Sequence, residues 1–496
     1  MAKGAASRTD CSVRVAIVHH HLHPGGVTRI IAHASEALRA AGAGVVVLSG
    51  LAPEPDQHWP VPVEVVPGLA YEEQRSETTP QRLVGDMRQA AQGALGAPPD
   101  VWHIHNHSLG KNLLLPLAIG RLAADGERLL LQLHDFAEDG RPVNYRRLRD
   151  SVGEGDGALL SQRLYPQAGQ VHYAVLNGRD RALLARAGMA AGRLHDLPNP
   201  VSLEGVQAGG PAPGQGRLWL YPTRAIRRKN LGEFLLWAAV APEGDRFATT
   251  LGPRNPAERP VYEGWQRLAA ELELPVEFEL GSRPGVRFED LLHAAHAMVT
   301  TSVAEGFGMA FLEPWLAGRA VAGRNLPEIT DEFVDAGVAL PHLYRRLEVP
   351  QEWFTRGVLE QRAQEALQRA WAAYGRPLRG DEVQGALNAW IVDGRVDFGR
   401  LDETLQAQVL RRLHASPGAV EELQPGVLPD PGEDTALIAA NRAAIVERFG
   451  LEAYGARLHE IYHGLLASPV ETPGALPGEA VLEQFLAPER LYLLRS

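Results

Sequence analysis

The stretch TSVAEGFGMAFLEPWLAGRAVAGRNLPEIT, residues 301–330, decides the reading of this chain. It overlaps the apolar run AMVTTS (297–302), so Glu305 stands just past a predicted strand, and Glu313 lies eight positions on, inside the next predicted helix. Both carboxylates can thereby face one cleft. Gly306 and Gly308 leave the backbone between them bare, so amide groups at a helix start can approach a sugar or a phosphate closely. A carboxylate accepts hydrogen bonds from both hydroxyls of a vicinal diol, as on a hexose or a ribose, so two glutamates could hold two sugars.

Outward from this segment, strands and helices alternate. VRVAIVHH (13–20) reads as a buried strand, a Pro-Gly-Gly turn follows, and VTRIIAHASEALRAAG (27–42) has the apolar spacing of an amphipathic helix. GVVVLSG, DVWHIHNH, RLLLQLHDF and VHYAVLN continue the series up to LPNPV (197–201), where two prolines break regular structure. Residues 205–216, rich in Gly, Pro and Ala, read as a linker into a second series of strands, RLWLYPT, FATTLG, VEFELG and AMVTTS. Alternation of this kind predicts parallel sheets covered on both faces, and thus an α/β chain of two doubly wound, Rossmann-like domains, 13–204 and 215–340, facing across a cleft. Open sheets of this type bind ligands at the carboxyl ends of their strands. From 341 to 430 the pattern turns mostly helical and reads as an insertion, and 431–496 reads as C-terminal helices and a tail.

With 496 residues the chain exceeds one hydrophobic core, in keeping with two or three domains. Cys11 is its only cysteine, which rules out an intrachain disulfide and a cysteine-built zinc site. The formal charge of −11 disfavours nucleic-acid and anionic-lipid binding. No run of about 18 apolar residues is present to span a bilayer, and the start lacks a signal peptide's apolar stretch. A cytoplasmic location is the expectation. The local basic cluster Arg224, Arg227, Arg228 and Lys229 suits a small anion better than a polymer.

Within residues 301–330, EGFG, LE, AG and PEI together resemble the E-x7-E signature of the GT-B retaining glycosyltransferases of family four, relatives of glycogen and sucrose synthases. The resemblance implies a retaining, metal-independent hexosyltransferase with a nucleotide-sugar domain at 215–340 and an acceptor domain at 13–204. By position, Glu305 would contact the donor sugar and Glu313 the ribose, with Gly306, Phe307, Gly308 and Met309 around them. YPTRAIRRKN (221–230) resembles the family segment whose Arg and Lys hold the departing diphosphate, which carries over to Arg224 and Lys229. Fixed cations there would stabilise the leaving group as magnesium does elsewhere. Arg227 and Arg228 have no place in that motif and read as a solvated basic loop. His134, at a strand end, matches the family histidine that meets the donor sugar, and Gly25 and Gly26 match its glycine-rich loop near the donor phosphates. The nucleotide sugar, UDP-, GDP- or ADP-linked, is a substrate, so no cofactor is implied. The other partner is an acceptor hydroxyl compound that the motifs do not name, and they leave the oligomeric state open.

His19, His20, His21 and His23, together with His103, His105 and His107, suggest a rival, a metal-dependent hydrolase. No H-E-x-x-H or comparable carboxylate-bearing metal motif accompanies them, and an acceptor cleft lined by histidines is the favoured reading. A second rival keeps the fold but changes the reaction, to nucleotide-sugar epimerisation or sugar phosphorolysis.

Overall fold

A computed structural model describes residues 13–202 and 216–495. Cys11 and all but the last residue of the linker expected at 205–216 lie outside the described residues. The chain divides into two units, one comprising 1–176, 180–200 and 451–484, the other 177–179, 201–450 and 485–496.

The first unit is built on a seven-stranded parallel sheet. Its strands are β1 (Arg14–His19), β2 (Gly44–Ser49), β3 (Val63–Val65), β4 (Val101–His105), β5 (Leu129–Leu133), β6 (Val171–Val175) and β7 (Leu194–Asp196). They run in the order β3-β2-β1-β4-β5-β6-β7, so the winding reverses between β1 and β4. β4, β5 and β6 are buried at every residue, the unbroken burial that a sheet covered on both faces imposes. The helix Gly26–Ala40 packs Ile30, Ile31, Ala34 and Leu38 into this core. The late helix Leu451–Ala467 returns to the same core with Tyr454, Leu458, Ile461, Tyr462 and Leu465, the i, i+4, i+7, i+8 stripe of an amphipathic helix.

The second unit holds a six-stranded parallel sheet. It comprises β8 (Leu218–Arg224), β9 (Arg246–Leu251), β10 (Val276–Glu277), β11 (Ala297–Thr300), β12 (Val321–Arg324) and β13 (Leu343–Tyr344) in the order β10-β9-β8-β11-β12-β13. The reversal here falls between β8 and β11. The 341–430 section does not stand apart from this sheet: Leu347, Val349, Trp353, Phe398, Leu405 and Val409 share one core with Trp219, Phe234 and Trp237. Helices at Val358–Ala373, Glu382–Trp390 and Glu403–Ala415 match its helical reading. The section also carries a small antiparallel sheet, β14 (Glu348–Pro350), β15 (Ile391–Val392) and β16 (Arg395–Asp397), in the order β14-β16-β15. Strands of two or three residues are too short for an alternation to register in the sequence.

A buried ionic knot ties this section to the sheet. Arg324, 1% exposed at the end of β12, donates to Glu233 at 2.6 Å and to Asp397 at 2.8 Å, and Tyr344 Oη donates to Glu233 at 2.6 Å. Burial alone would raise the Asp397 carboxyl, but the Arg324 charge outweighs it and holds the group below its ordinary value. Among the described residues no helix is long and apolar enough to cross a membrane.

Candidate functional site

In the second unit the expected donor residues gather at the carboxyl ends of β8 and β11, on either side of the winding reversal where an open α/β sheet leaves a crevice. Arg224 ends β8, and Lys229 closes a short 3-10 turn, Arg227–Lys229, just beyond it. Glu305 follows β11. Its carboxylate touches the Lys229 ammonium and lies 3.3 Å from Arg228 Nη1. Burial would raise the Glu305 carboxyl, yet Lys229 and Arg228 outweigh it and hold the group below the ordinary carboxylate range. Burial pushes the Lys229 ammonium down from its ordinary value, against the pull of Glu305.

Arg224 is differently placed. No carboxylate among the described residues pairs with it, and its guanidinium reaches only the Gly252 carbonyl, at 3.4 Å. Burial and the neighbouring Arg254 both push its pKa down. Among the described residues Arg254 is likewise paired with no carboxylate, and neighbouring cations of this kind gain from a bound anion. The solvated basic loop expected for Arg227 and Arg228 is corrected here. Arg227 forms a two-pronged ion pair with Glu403, at 2.6 and 3.1 Å, and Arg228 donates to the Ala304 carbonyl at 2.8 Å as well as to Glu305. Neither pairing is visible locally, because Glu403 and Ala304 are remote in sequence.

Around Glu305 the backbone is held from a distance. Arg179 Nη1 donates to the Glu305 carbonyl at 3.0 Å, and Asn177 Nδ2 to the Gly306 carbonyl at 2.6 Å. Phe307 is buried against Phe333 and Phe449, with ring centroids 5.5 and 6.2 Å away, so its side chain belongs to an aromatic core. Gly308 has φ +95°, and a Cβ there would sit 2.8 Å from Ile329, so glycine is required on both counts. Met309 opens a 3-10 turn, and Glu313 begins a helix of only four residues, Glu313–Leu316, shorter than the sequence suggests. Glu313 lines a cavity of about 40 Å³ with Pro222, Thr223, Phe288, Met298 and Ala310. Arg254, Asn177 and Arg179 escaped the sequence reading, and the only signal for any of them is position after a strand.

In the first unit, Gly25 caps the helix Gly26–Ala40, whose first turn carries no acidic residue and no side-chain cap. A Cβ at Gly25 or Gly26 would meet nothing closer than 3.8 Å, so local packing does not demand these glycines. His134 follows β5; its backbone N–H donates to Asn106 Oδ1 at 2.8 Å, and its Nε2 is hydrogen-bonded to His105 Nδ1 at 2.8 Å. Burial, helped by His103, pushes the His134 pKa down to about 3, so the ring is neutral at ordinary pH.

Three of the neighbouring histidines do not line an open cleft. His103, His105 and His107 are fully buried; His103 bonds Tyr462 Oη at 2.8 Å and Gln132 Oε1 at 2.9 Å, and His107 bonds the Leu164 carbonyl at 2.7 Å. Strand alternation places residues 103 and 105 on one face, and that face is covered by the helix Leu451–Ala467, which local sequence does not reveal. Among the described residues no group of three or more His, Cys, Asp or Glu side chains converges as metal ligands.

Two doubly wound parallel sheets with a helical C-terminal addition define the GT-B fold. No protein-family model matches the chain. Over 342 residues it is 23% identical to the mannosylglucosyl-3-phosphoglycerate synthase of Petrotoga mobilis, a match covering 64% of this chain and 65% of that protein's length. The sucrose-phosphate synthase of Thermosynechococcus elongatus superposes with a TM-score of 0.52 at 17% identity, over 92% of this chain and 99% of that one. The HepE protein of Anabaena, solved in complex with UDP, superposes with a TM-score of 0.53 at 13% identity, over 90% and 99%. At these identities the structural likeness is one of fold.

Proposed function

We propose that the chain is a retaining, metal-independent glycosyltransferase that moves a hexose from a nucleotide diphosphate sugar to an acceptor hydroxyl. The observation that carries this reading is the contact between Lys229 and Glu305 at the winding reversal of the second sheet, with Arg224 at the end of β8 and Glu313 eight residues along from Glu305. The names of the Petrotoga synthase and of HepE bound to UDP support it.

The geometry translates into chemistry as follows. The bond between the anomeric carbon and the β-phosphate oxygen breaks, and negative charge grows on the leaving diphosphate. Arg224 and Lys229 offer fixed cations to that charge, and the Lys229 ammonium, largely buried, acts there more strongly than it would in water. Glu305 holds the Lys229 ammonium in place and presents its second oxygen to sugar hydroxyls. The acceptor oxygen bonds to the anomeric carbon from the face the diphosphate leaves, and its proton passes to a departing phosphate oxygen, so configuration is retained. Glu313 binds the ribose diol.

A panel of UDP-, GDP- and ADP-sugars, scored by thermal shift and by nucleoside diphosphate release, tests this reading. A donor bound only by the folded protein raises its apparent stability by about 2.7 kcal/mol at a hundred times its Kd. Stabilisation by none of the panel contradicts the proposal.

A further inference from the structure

Immediately after Lys229 the chain adopts a backbone that L residues rarely take. Asn230 has φ 55° and ψ 57°, the left-handed region, which is held only where the surroundings enforce it. The Asn230 side chain is clamped from two sides. Its Nδ2 donates to Glu233 Oε2 at 2.7 Å, and its Oδ1 accepts from Gln406 Nε2 at 2.8 Å. The carbonyls of Lys229 and Asn230 each accept from Thr301 Oγ1 at 3.0 Å. Gln406 is fully buried on the helix Glu403–Ala415 and donates also to the Phe398 carbonyl at 3.1 Å.

One turn earlier on that helix, Glu403 holds Arg227 at the other end of the same turn, at 2.6 Å. Positions i and i+3 share a helix face, so one face of one helix grips both ends of the Arg227–Asn230 segment. The fit is close, for a Cβ on Gly232 would lie 2.2 Å from Gln406 Oε1.

We propose that the helix Glu403–Ala415 is a brace for the basic turn and that Gln406 is a positioning residue for Lys229, so that the 341–430 section serves the donor site. Gln406 touches no ligand in this account. Its amide fixes the left-handed Asn230, and through it the direction in which the long, flexible Lys229 side chain leaves the backbone. Small misplacements of a group that binds a reacting phosphate cost much of its effect. What Lys229 binds is taken from the function proposed above; where it is held is independent of that.

The chain contains three lysines, Lys3, Lys111 and Lys229, so full-length protein labelled with carbon-13 at the lysine ε-carbon gives three side-chain signals, with Lys229 assigned through Lys229→Arg. Gln406→Met keeps the volume and removes the donor. The brace requires that the Lys229 signal shift or broaden in Gln406→Met while those of Lys3 and Lys111 stay, and that inorganic pyrophosphate bind about tenfold more weakly. A folded Gln406→Met protein with Lys229 at its wild-type position overturns the proposal. If Gln406→Met does not fold, Glu403→Gln, at the half-buried end of the brace, must displace the Lys229 signal, and an unmoved signal overturns it equally. Failure of pyrophosphate to perturb the wild-type Lys229 signal would refute the phosphate-binding reading, while the variant spectra would still decide the brace.

Discussion

The Lys229 ammonium is in direct contact with the Glu305 carboxylate, and each residue is only 8% exposed. A pair buried so deeply is held by mutual compensation, because either charge alone is poorly solvated. Glu305→Ala should therefore lower stability by about 3–5 kcal/mol, since it strands the ammonium. The double variant Glu305→Ala, Lys229→Ala should lose less than the sum of its singles. A denaturant double-mutant cycle measures this directly, and additive losses would show that the contact contributes nothing.

Gly308 supports the same site through its backbone. Because φ is +95° and the Cβ position is occupied by Ile329, Gly308→Ala should destabilise the fold by about 1–3 kcal/mol. It should also disturb nucleotide-sugar binding, since it displaces the loop between Glu305 and Glu313. A variant with unchanged melting temperature and donor Kd would mean that the loop relaxes freely.

The buried histidines of the first unit set a pH dependence. Burial lowers His103 and His107 to about 4 and His134 to about 3, from an ordinary 6.5. The unfolded chain then binds more protons than the folded one between those values, so stability is full above the ordinary value and falls as pH drops through that window. Each such ring contributes a slope of about 1.4 kcal/mol per pH unit. Urea midpoints should drop clearly between about pH 7.5 and about pH 5.5. A flat profile would indicate that these rings are hydrated or charged in the fold.

Much of this architecture is legible in the sequence because buried parallel strands are short apolar runs with turn signals on either side. EGFG and YPTRAIRRKN announce themselves because glycine, carboxylate and cation fall together after such strands. The rest depends on distance. Nothing near Arg227 signals Glu403, nothing near His103 signals Tyr462, and the return of Leu451–Ala467 to the first unit is a matter of topology rather than of local pattern. Gly25 and Gly26 show the converse, a local motif whose glycines the surrounding atoms do not require. Phe307 belongs to a matched motif, yet its ring packs into the core.

The central claim is that Lys229 and Arg224 neutralise a leaving diphosphate without a metal, and the rate of nucleoside diphosphate release in EDTA tests it most directly. Wild-type protein should turn over a nucleotide sugar undiminished by the chelator, and Lys229→Ala, still folded, should be slower by about a hundred- to a thousandfold, the usual loss for one preorganised charge partner. Wild-type activity that vanishes in EDTA and returns with magnesium, or a Lys229→Ala protein with near-normal kcat, would contradict the account.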